Sequence, residues 1–420
     1  MTAELPPHFF RHESGRLVAA LARIFGVRNL ALAEDVAQAA LVRALEVWKV
    51  DGIPADPSTW LRVTARNLAV DALRKDRTAR TYAPELARWL ESEWTRVPVV
   101  DEAFAPAALA DDELRMMFTV CHPRLPEEAQ VALVLHLSCG FSVAEIAAAF
   151  FASPAAIEKR ISRAKATLVE TPSLFDLKEG DVDARLGSVH AAIYLLFNEG
   201  YHGASPESAV REELCREALR LVSVLADHPR TTKPATHALA ALLCLHAARL
   251  PARVSEEGRL RSLFEQDRAL WDQALVARGL SFLERSAEGA ALTEYHVEAA
   301  IAAHHATARS RQETPWSSIV SLYDVLFSMR PSPVVALSRA IAIAELEGPA
   351  RGLEELAAIE GRDKLSAYPF YEAALGELHL RAEEPDVARA HFEAALSLAR
   401  NAMERQFFEA RVTACTSAAR

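Results

Sequence analysis

Residues 140–168 read GFSVAEIAAAFFASPAAIEKRISRAKATL, a pattern of two helices separated by a tight break. The first is predicted over Ser142–Phe150 and the second opens at Ser153–Pro154. The Ser153 hydroxyl can accept from free N–H groups, and a proline at the first helical position lacks only a donor that would be unpaired there anyway. Ile146 and Ala147 on the first helix would face Ile157, Ile161 and Leu168 on the second, with Lys159, Arg160, Arg163 and Lys165 projecting elsewhere. This is the layout of a helix-turn-helix, in which one helix braces and the next enters the major groove, its cations meeting phosphates or guanine edges. An ordinary αα-hairpin with a solvated basic face has the same periodicity, so this stretch alone leaves both readings open. Phe151 occupies the turn position that commonly holds glycine.

A second basic concentration lies upstream. Residues 67–80, NLAVDALRKDRTAR, crowd Arg74, Lys75, Arg77 and Arg80 onto the end of an apolar-periodic helix, although the whole chain carries a formal net charge of -10. That helix is expected to start at Thr59–Trp60 with Ser58 as its N-cap. It would expose Arg62, Arg66, Asn67, Asp71, Arg74 and Lys75 and turn Trp60 inward. Cations beside an Asn and an aromatic suit a surface that neutralises a backbone and holds an unstacked base. Taken alone, a solvated helix end favoured by the macrodipole is the better reading of these cations. Before it, "RLVAALARIFG" predicts a helix capped by Gly26, and "LALAEDVAQAALVRALEVWKV" a second with Leu32, Val36, Ala40, Leu41, Ala44, Leu45 and Trp48 as its apolar pattern.

The chain of 420 residues is too long for one core, and 15 glycines in Ala- and Leu-rich text argue for helices rather than sheets. The expected fold class is all-α. Residues 1–81 form one small helical unit, 82–111 a proline-bearing linker with a short helix near Pro84–Trp94, 112–170 a second small unit, and 171–420 a large helical extension. Near its end, "LGELHLRAEEPDVARAHFEAAL" places Leu375–Gly376, Ala388, Phe392 and Ala395 in the small-and-large alternation of a tetratricopeptide-like hairpin. "SRAIAIAELEGPARGLEELAAI" repeats that logic upstream. Generic helical hairpins packed as a bundle are the alternative.

Enzyme signatures are missing: there is no G-x-S-x-G, P-loop or G-x-G-x-x-G. His296 and His304 in "EYHVEAAIAAHH" can share a helix face, but a third ligand at metal spacing is lacking, so no metal and no cofactor are expected. Five scattered cysteines without a C-x-x-C pair read as buried small hydrophobes or surface thiols. "LFNEGYHG" (196–203) reads either as a sensing pocket or as a hydrogen-bonded turn. No uncharged apolar run is long enough to span a bilayer and the N-terminus lacks a secretory layout, so a cytoplasmic protein is expected.

Taken together, "AEDVAQAALVRAL", "WLRVTARNLAVDALRK", the linker and "LPEEAQVALVLHLSCGFSVAEIAAAF...IEKRISRAKATL" resemble regions 2 and 4 of a bacterial ECF-type (extracytoplasmic-function) sigma factor of the sigma-70 family, in the family's order. The remainder, with "IYLLFNEGY" and the repeats, resembles the subgroup carrying a tetratricopeptide-like C-terminal extension. The resemblance implies a non-enzymatic transcription initiation factor that binds core RNA polymerase at the β′ clamp and β flap. Asp35 and Gln38 would lie on the helix gripping the clamp. Asn67, Asp71 and Arg74 match the signature of the helix facing the minus-10 element, with Lys75 and Arg77 following the opened strand. Ser153, Glu158, Lys159, Arg160 and Arg163 would sit on the recognition helix for the minus-35 element. The linker would thread the polymerase, and the extension would modulate activity by docking on the sigma core or binding a regulatory protein.

Two other classes fit parts of the text. A helix-turn-helix regulator with a helical sensing domain would bind duplex DNA without polymerase, and a tetratricopeptide-like adaptor would carry its basic helices incidentally. The region 2 match separates the first reading from the regulator, which needs only the helix-turn-helix. A net acidic protein with two local basic surfaces suits a DNA reader that must not bind DNA tightly alone.

Overall fold

A computed structural model describes residues 5, 9–26, 29–76, 106–150, 152–170, 179–203, 209–256 and 258–418. Among them the regular structure is helical, apart from an isolated antiparallel bridge between Val254 and Leu260. The chain divides into two compact units, Met1–Leu195 and Leu196–Arg420.

The first unit begins with α1 (Phe9–Phe25), α2 (Leu30–Asp51) and α3 (Pro57–Asp76). Gly26 ends α1 at φ +80, a left-handed conformation that glycine adopts without a Cβ penalty, and its N–H closes on Ala22 O at 2.8 Å. Leu17, Leu21, Ala40, Ala44 and Leu61 are fully buried between the three helices. Trp48 packs edge-on against Trp60 at 5.4 Å and stacks on Phe10 at 5.6 Å, so Trp60 does turn inward. Two expectations need correcting. Leu45 is 57% exposed, because the buried stripe of α2 runs through Val36, Ala40, Ala44 and Trp48 and leaves Leu45 on the far side. The N-cap of α3 is Asp56 rather than Ser58: its carboxylate accepts from Thr59 N at 2.9 Å, and Pro57 takes the first helical position. Ser58 instead donates to the buried Glu13 carboxylate at 3.1 Å.

After the expected linker, of which residues 82–105 and the short helix near Pro84–Trp94 lie outside the described residues, come α4 (Pro106–Val120), α5 (Glu127–Leu133), α6 (Val143–Ala149) and α7 (Pro154–Val169). Helix α5 runs on into a π-helical turn, Val134–Ser138. Ser142 opens α6 with a reciprocal capping box to Glu145, and Ser153 caps α7 by accepting from Ala156 N at 3.3 Å. Ile146, Ile157 and Leu168 are fully buried between α6 and α7, and Ile161 is 5% exposed. Phe151 lies outside the described residues.

These two groups of helices pack directly on one another. Gly15 of α1 leaves no room for a side chain, since a Cβ there would stand 2.1 Å from Ser138 O. Arg11 pairs with Glu145 at 2.7 Å and lies over the Phe141 ring, while Arg16 and Arg23 reach the buried Glu113 and Asp112.

Helix α8 (Glu179–His202) crosses the division between the units. The second unit then continues with α9 (Glu212–Asp227), α10 (Pro234–Ala247), the single turn α11 (Leu250–Arg253), α12 (Gln273–Ser286), α13 (Glu294–Thr307), α14 (Trp316–Met329), α15 (Pro333–Glu347), α16 (Pro349–Ala357), α17 (Pro369–Arg381), α18 (Pro385–Ser397) and α19 (Ala402–Ala418). Successive helices pack as hairpins around small residues. A Cβ on Gly376 of α17 would meet the Phe392 ring of α18 at 3.0 Å, and Ala388 and Ala395 are fully buried beside it. One hairpin earlier, a Cβ on Gly352 of α16 would meet the Ala344 Cβ of α15 at 2.4 Å. All five cysteines are buried and unbridged, and burial pushes the Cys244 thiol up to about 11.

Candidate functional site

Three helices of the first unit carry the residues singled out from the sequence. On α2, Asp35 and Gln38 are exposed. At the spacing of successive helical turns they continue into Val42 and Leu45, 47% and 57% exposed, and then Lys49. The result is a mixed stripe, polar at its ends and apolar in the middle. Val42 and Leu45 are the part of this stripe that sequence reading assigned to the core or passed over.

On α3, Asn67 and Asp71 are exposed one turn apart, and Arg66 Nη1 donates to Asn67 Oδ1 at 3.2 Å. Arg74 and Lys75 belong to the last turns of this helix, and Arg77 lies outside the described residues.

On α7 the cations divide into two sets. Lys159 and Arg163 are exposed with Glu158 and Ser153, and neither cation has a side-chain partner among the described residues. Arg160 is tied down: it pairs with Glu128 at 2.8 Å and lies over the Phe150 ring at 5.5 Å. Lys165 does not project with the others. It turns back to α2, where Nζ meets both carboxylate oxygens of Glu34 at 2.7 and 2.8 Å. His136 approaches the same carboxylate at 3.4 Å. Burial alone would raise the Glu34 carboxyl, but hydrogen bonds from His136 and Lys165 and their charge outweigh it and hold it below its ordinary value. Sequence reading missed Glu34, and no local signal marks it, because its partner lies 131 residues away.

Comparison with known proteins follows this division. The family model for sigma-70 region 2 matches residues 9–79, and that for sigma-70 region 4 matches residues 115–168. The chain is an ECF-type member of the sigma-70 family. A family of unknown function, DUF6596, matches residues 185–287. A protein of Rhizobium meliloti (strain 1021) designated uncharacterized protein R00370 is 37% identical over 393 residues, covering 92% of this sigma factor and 90% of the relative. The probable RNA polymerase sigma factor RfaY of Xanthomonas campestris pv. campestris is 33% identical over 143 residues, 34% of either chain. The ECF RNA polymerase sigma factor SigJ of Mycobacterium tuberculosis is 32% identical over 174 residues, 39% of this chain and 52% of the relative. No solved structure matches the present chain.

In the second unit, His296 is a capping residue: its Nδ1 lies 3.1 Å from Thr293 N and 2.8 Å from the Thr293 hydroxyl at the start of α13. The stretch LFNEGYHG is not a turn but the last turns of α8, which run through His202. Tyr201 stacks on Phe197 at 5.6 Å and lies under the Arg253 guanidinium at 4.2 Å. No described helix is long and apolar enough to cross a membrane.

Proposed function

We propose that this sigma factor docks on core RNA polymerase through the Asp35–Gln38–Val42–Leu45 stripe of α2 and directs it to promoters in the cytoplasm. Helix α7 then reads the minus-35 element with Lys159, Arg163 and Ser153, with Glu158 and Arg160 at its edges. Helix α3 faces the minus-10 element with Asn67, Asp71 and Arg74, and Lys75 and Arg77 follow the opened strand. The helical second unit modulates this activity, and no covalent chemistry is involved.

The observation that carries the reading is the pair of exposed surfaces, the α2 stripe and Lys159 and Arg163 of α7, which have no side-chain partner among the described residues, in the regions that match sigma-70 regions 2 and 4. A repressor needs the second surface and has no use for the first. The packing of the two regions adds a resting state. Elements about 25 base pairs apart, as their names state, are separated by about 85 Å at about 3.4 Å per base pair. A compact unit of this length has a radius of gyration of about 16 Å. The α2–α7 contact therefore has to part before both elements are engaged at once.

In vitro transcription with purified core polymerase and this protein as the sole specificity factor is the test. Promoter-dependent run-off is expected. Tight binding of the free protein to duplex DNA with no run-off from any candidate promoter overturns the reading.

A further inference from the structure

The second unit contains a cleft of about 300 Å³ whose lining joins guanidinium groups to aromatic rings. Arg249, Arg253 and Arg261 line it together with Phe264, Phe370 and Phe407. The carboxylates in its lining, Glu345 and Glu377, are already engaged. Glu345 receives the fork of Arg311 at 2.7 Å through both oxygens and also Arg381, while Arg411 lies between Glu377 at 3.5 Å and Glu265 at 3.2 Å.

Arg249, Arg253 and Arg261 have no such partner among the described residues. Arg249 donates to the Gln266 amide oxygen at 3.2 Å, and Arg253 to Tyr201 O at 3.1 Å and the His202 ring at 2.8 Å. All these acceptors are uncharged, and no carboxylate among the described residues pairs with Arg249, Arg253 or Arg261. Arg253 is only 8% exposed. Arg249 beside it is partly buried, and a guanidinium withdrawn from water without an anion is expensive, so the pair favours an anionic ligand. The neighbouring imidazoles report the same field. Burial, followed by Arg249 and Arg253, holds His246 at about 3, and burial with Arg249 and Arg268 holds His305 at about 3, so neither adds a competing charge at neutral pH.

We infer that this cleft binds a small organic acid, its carboxylate on Arg249, Arg253 and Arg261 and its apolar body against Phe264, Phe370 and Phe407. The volume suits a molecule of about ten to fifteen non-hydrogen atoms. A bare inorganic anion would satisfy the arginines and leave the aromatic walls unused, and a neutral apolar molecule would do the reverse. The site lies wholly in the second unit and is independent of the polymerase reading, so binding is measured on the full chain without polymerase or DNA.

Calorimetric titration with 4-phenylbutyrate and with indole-3-acetate tests the inference, with 4-phenylbutyramide as the uncharged control and inorganic phosphate as the control without an apolar body. At least one acid is expected to bind with one-to-one stoichiometry and Kd at or below about 1 mM, and the amide about tenfold or more weaker. Because Arg253 also braces Tyr201 and His202, the variants are R249M and, on the half-exposed rim, R261S, with circular dichroism confirming the fold. R249M is expected to lose about tenfold or more and R261S about threefold in affinity for the acid. The inference is overturned if neither acid binds up to about 10 mM, if the amide or phosphate binds as tightly as the acid, or if folded R261S retains full affinity.

Discussion

Lys165 of α7 grips Glu34 of α2, its Nζ within 2.8 Å of both carboxylate oxygens. Both side chains are about one quarter exposed, so the pair is neither a weakly held surface contact nor a fully desolvated one. Helix α7 is thereby joined to α2 at a position one turn before Gln38.

Removing the charge from Glu34 should loosen this junction. We expect E34Q to weaken the closed arrangement by about 1–2 kcal/mol, read as roughly 5- to 30-fold faster hydrogen exchange in α7 after correction for intrinsic rates. The same contact should fail in acid. The Glu34 carboxyl lies below its ordinary value in the folded protein, so its contribution is complete above the ordinary carboxylate range and is lost as pH falls through the lowered value. The parent should therefore show an acid-dependent rise in α7 exchange that E34Q lacks. Identical exchange in the two proteins at all pH values would contradict the junction.

Arg163 and Arg160 should behave differently although they are three residues apart. Arg163 is exposed without a side-chain partner among the described residues, whereas Arg160 is held by Glu128 and Phe150. R163A is expected to reduce promoter affinity by about 1–3 kcal/mol, with core-polymerase affinity and thermal stability unchanged. R160A should also lower Tm, having lost a packed contact. Fluorescence anisotropy with holoenzyme and promoter DNA, alongside thermal melts, separates the two; loss of core affinity in R163A would count against its assignment.

Leu45 offers a test of the docking stripe. At 57% exposure it contributes little to folding, so L45D should leave Tm nearly unchanged. Core-polymerase affinity is expected to fall about tenfold or more. A titration against labelled core polymerase decides this, and unaltered binding removes Leu45 from the interface.

Gly352 should prove intolerant of even one methyl group, because a Cβ would stand 2.4 Å from the Ala344 Cβ and 2.9 Å from Leu378. G352A is expected to destabilise the second unit by about 1–3 kcal/mol in chemical denaturation. A neutral result would mean that the α15–α16 hairpin can open without cost.

Much of this architecture was legible because it rests on local signals. Gly26 as a helix end and Ser153–Pro154 as a helix start each depend on residues within one or two turns, and the Gly376–Phe392 alternation joins two consecutive helices of one hairpin. The N-cap of α3 went to Asp56 because a proline follows it directly, a local signal that the serine two residues later obscured. Leu45 was read as core because a mostly apolar helix offers several stripes, and only its neighbours decide which is covered. The Glu34–Lys165 contact was not legible, and of the arginine cleft only His202, in the stretch read either as a sensing pocket or as a turn, was marked. Both are assembled from segments far apart in sequence, and a lone Glu or Arg carries no mark of the partner that folding will bring to it or withhold from it.

The position of Glu34 beside the proposed docking stripe has a consequence at the level of the cell. If polymerase and α7 share one edge of α2, molecules without polymerase stay shut, and the number able to touch a promoter follows the supply of free core enzyme. Raising expression beyond that supply would then add idle copies rather than new transcripts, so the protein could accumulate ahead of need without crowding the chromosome.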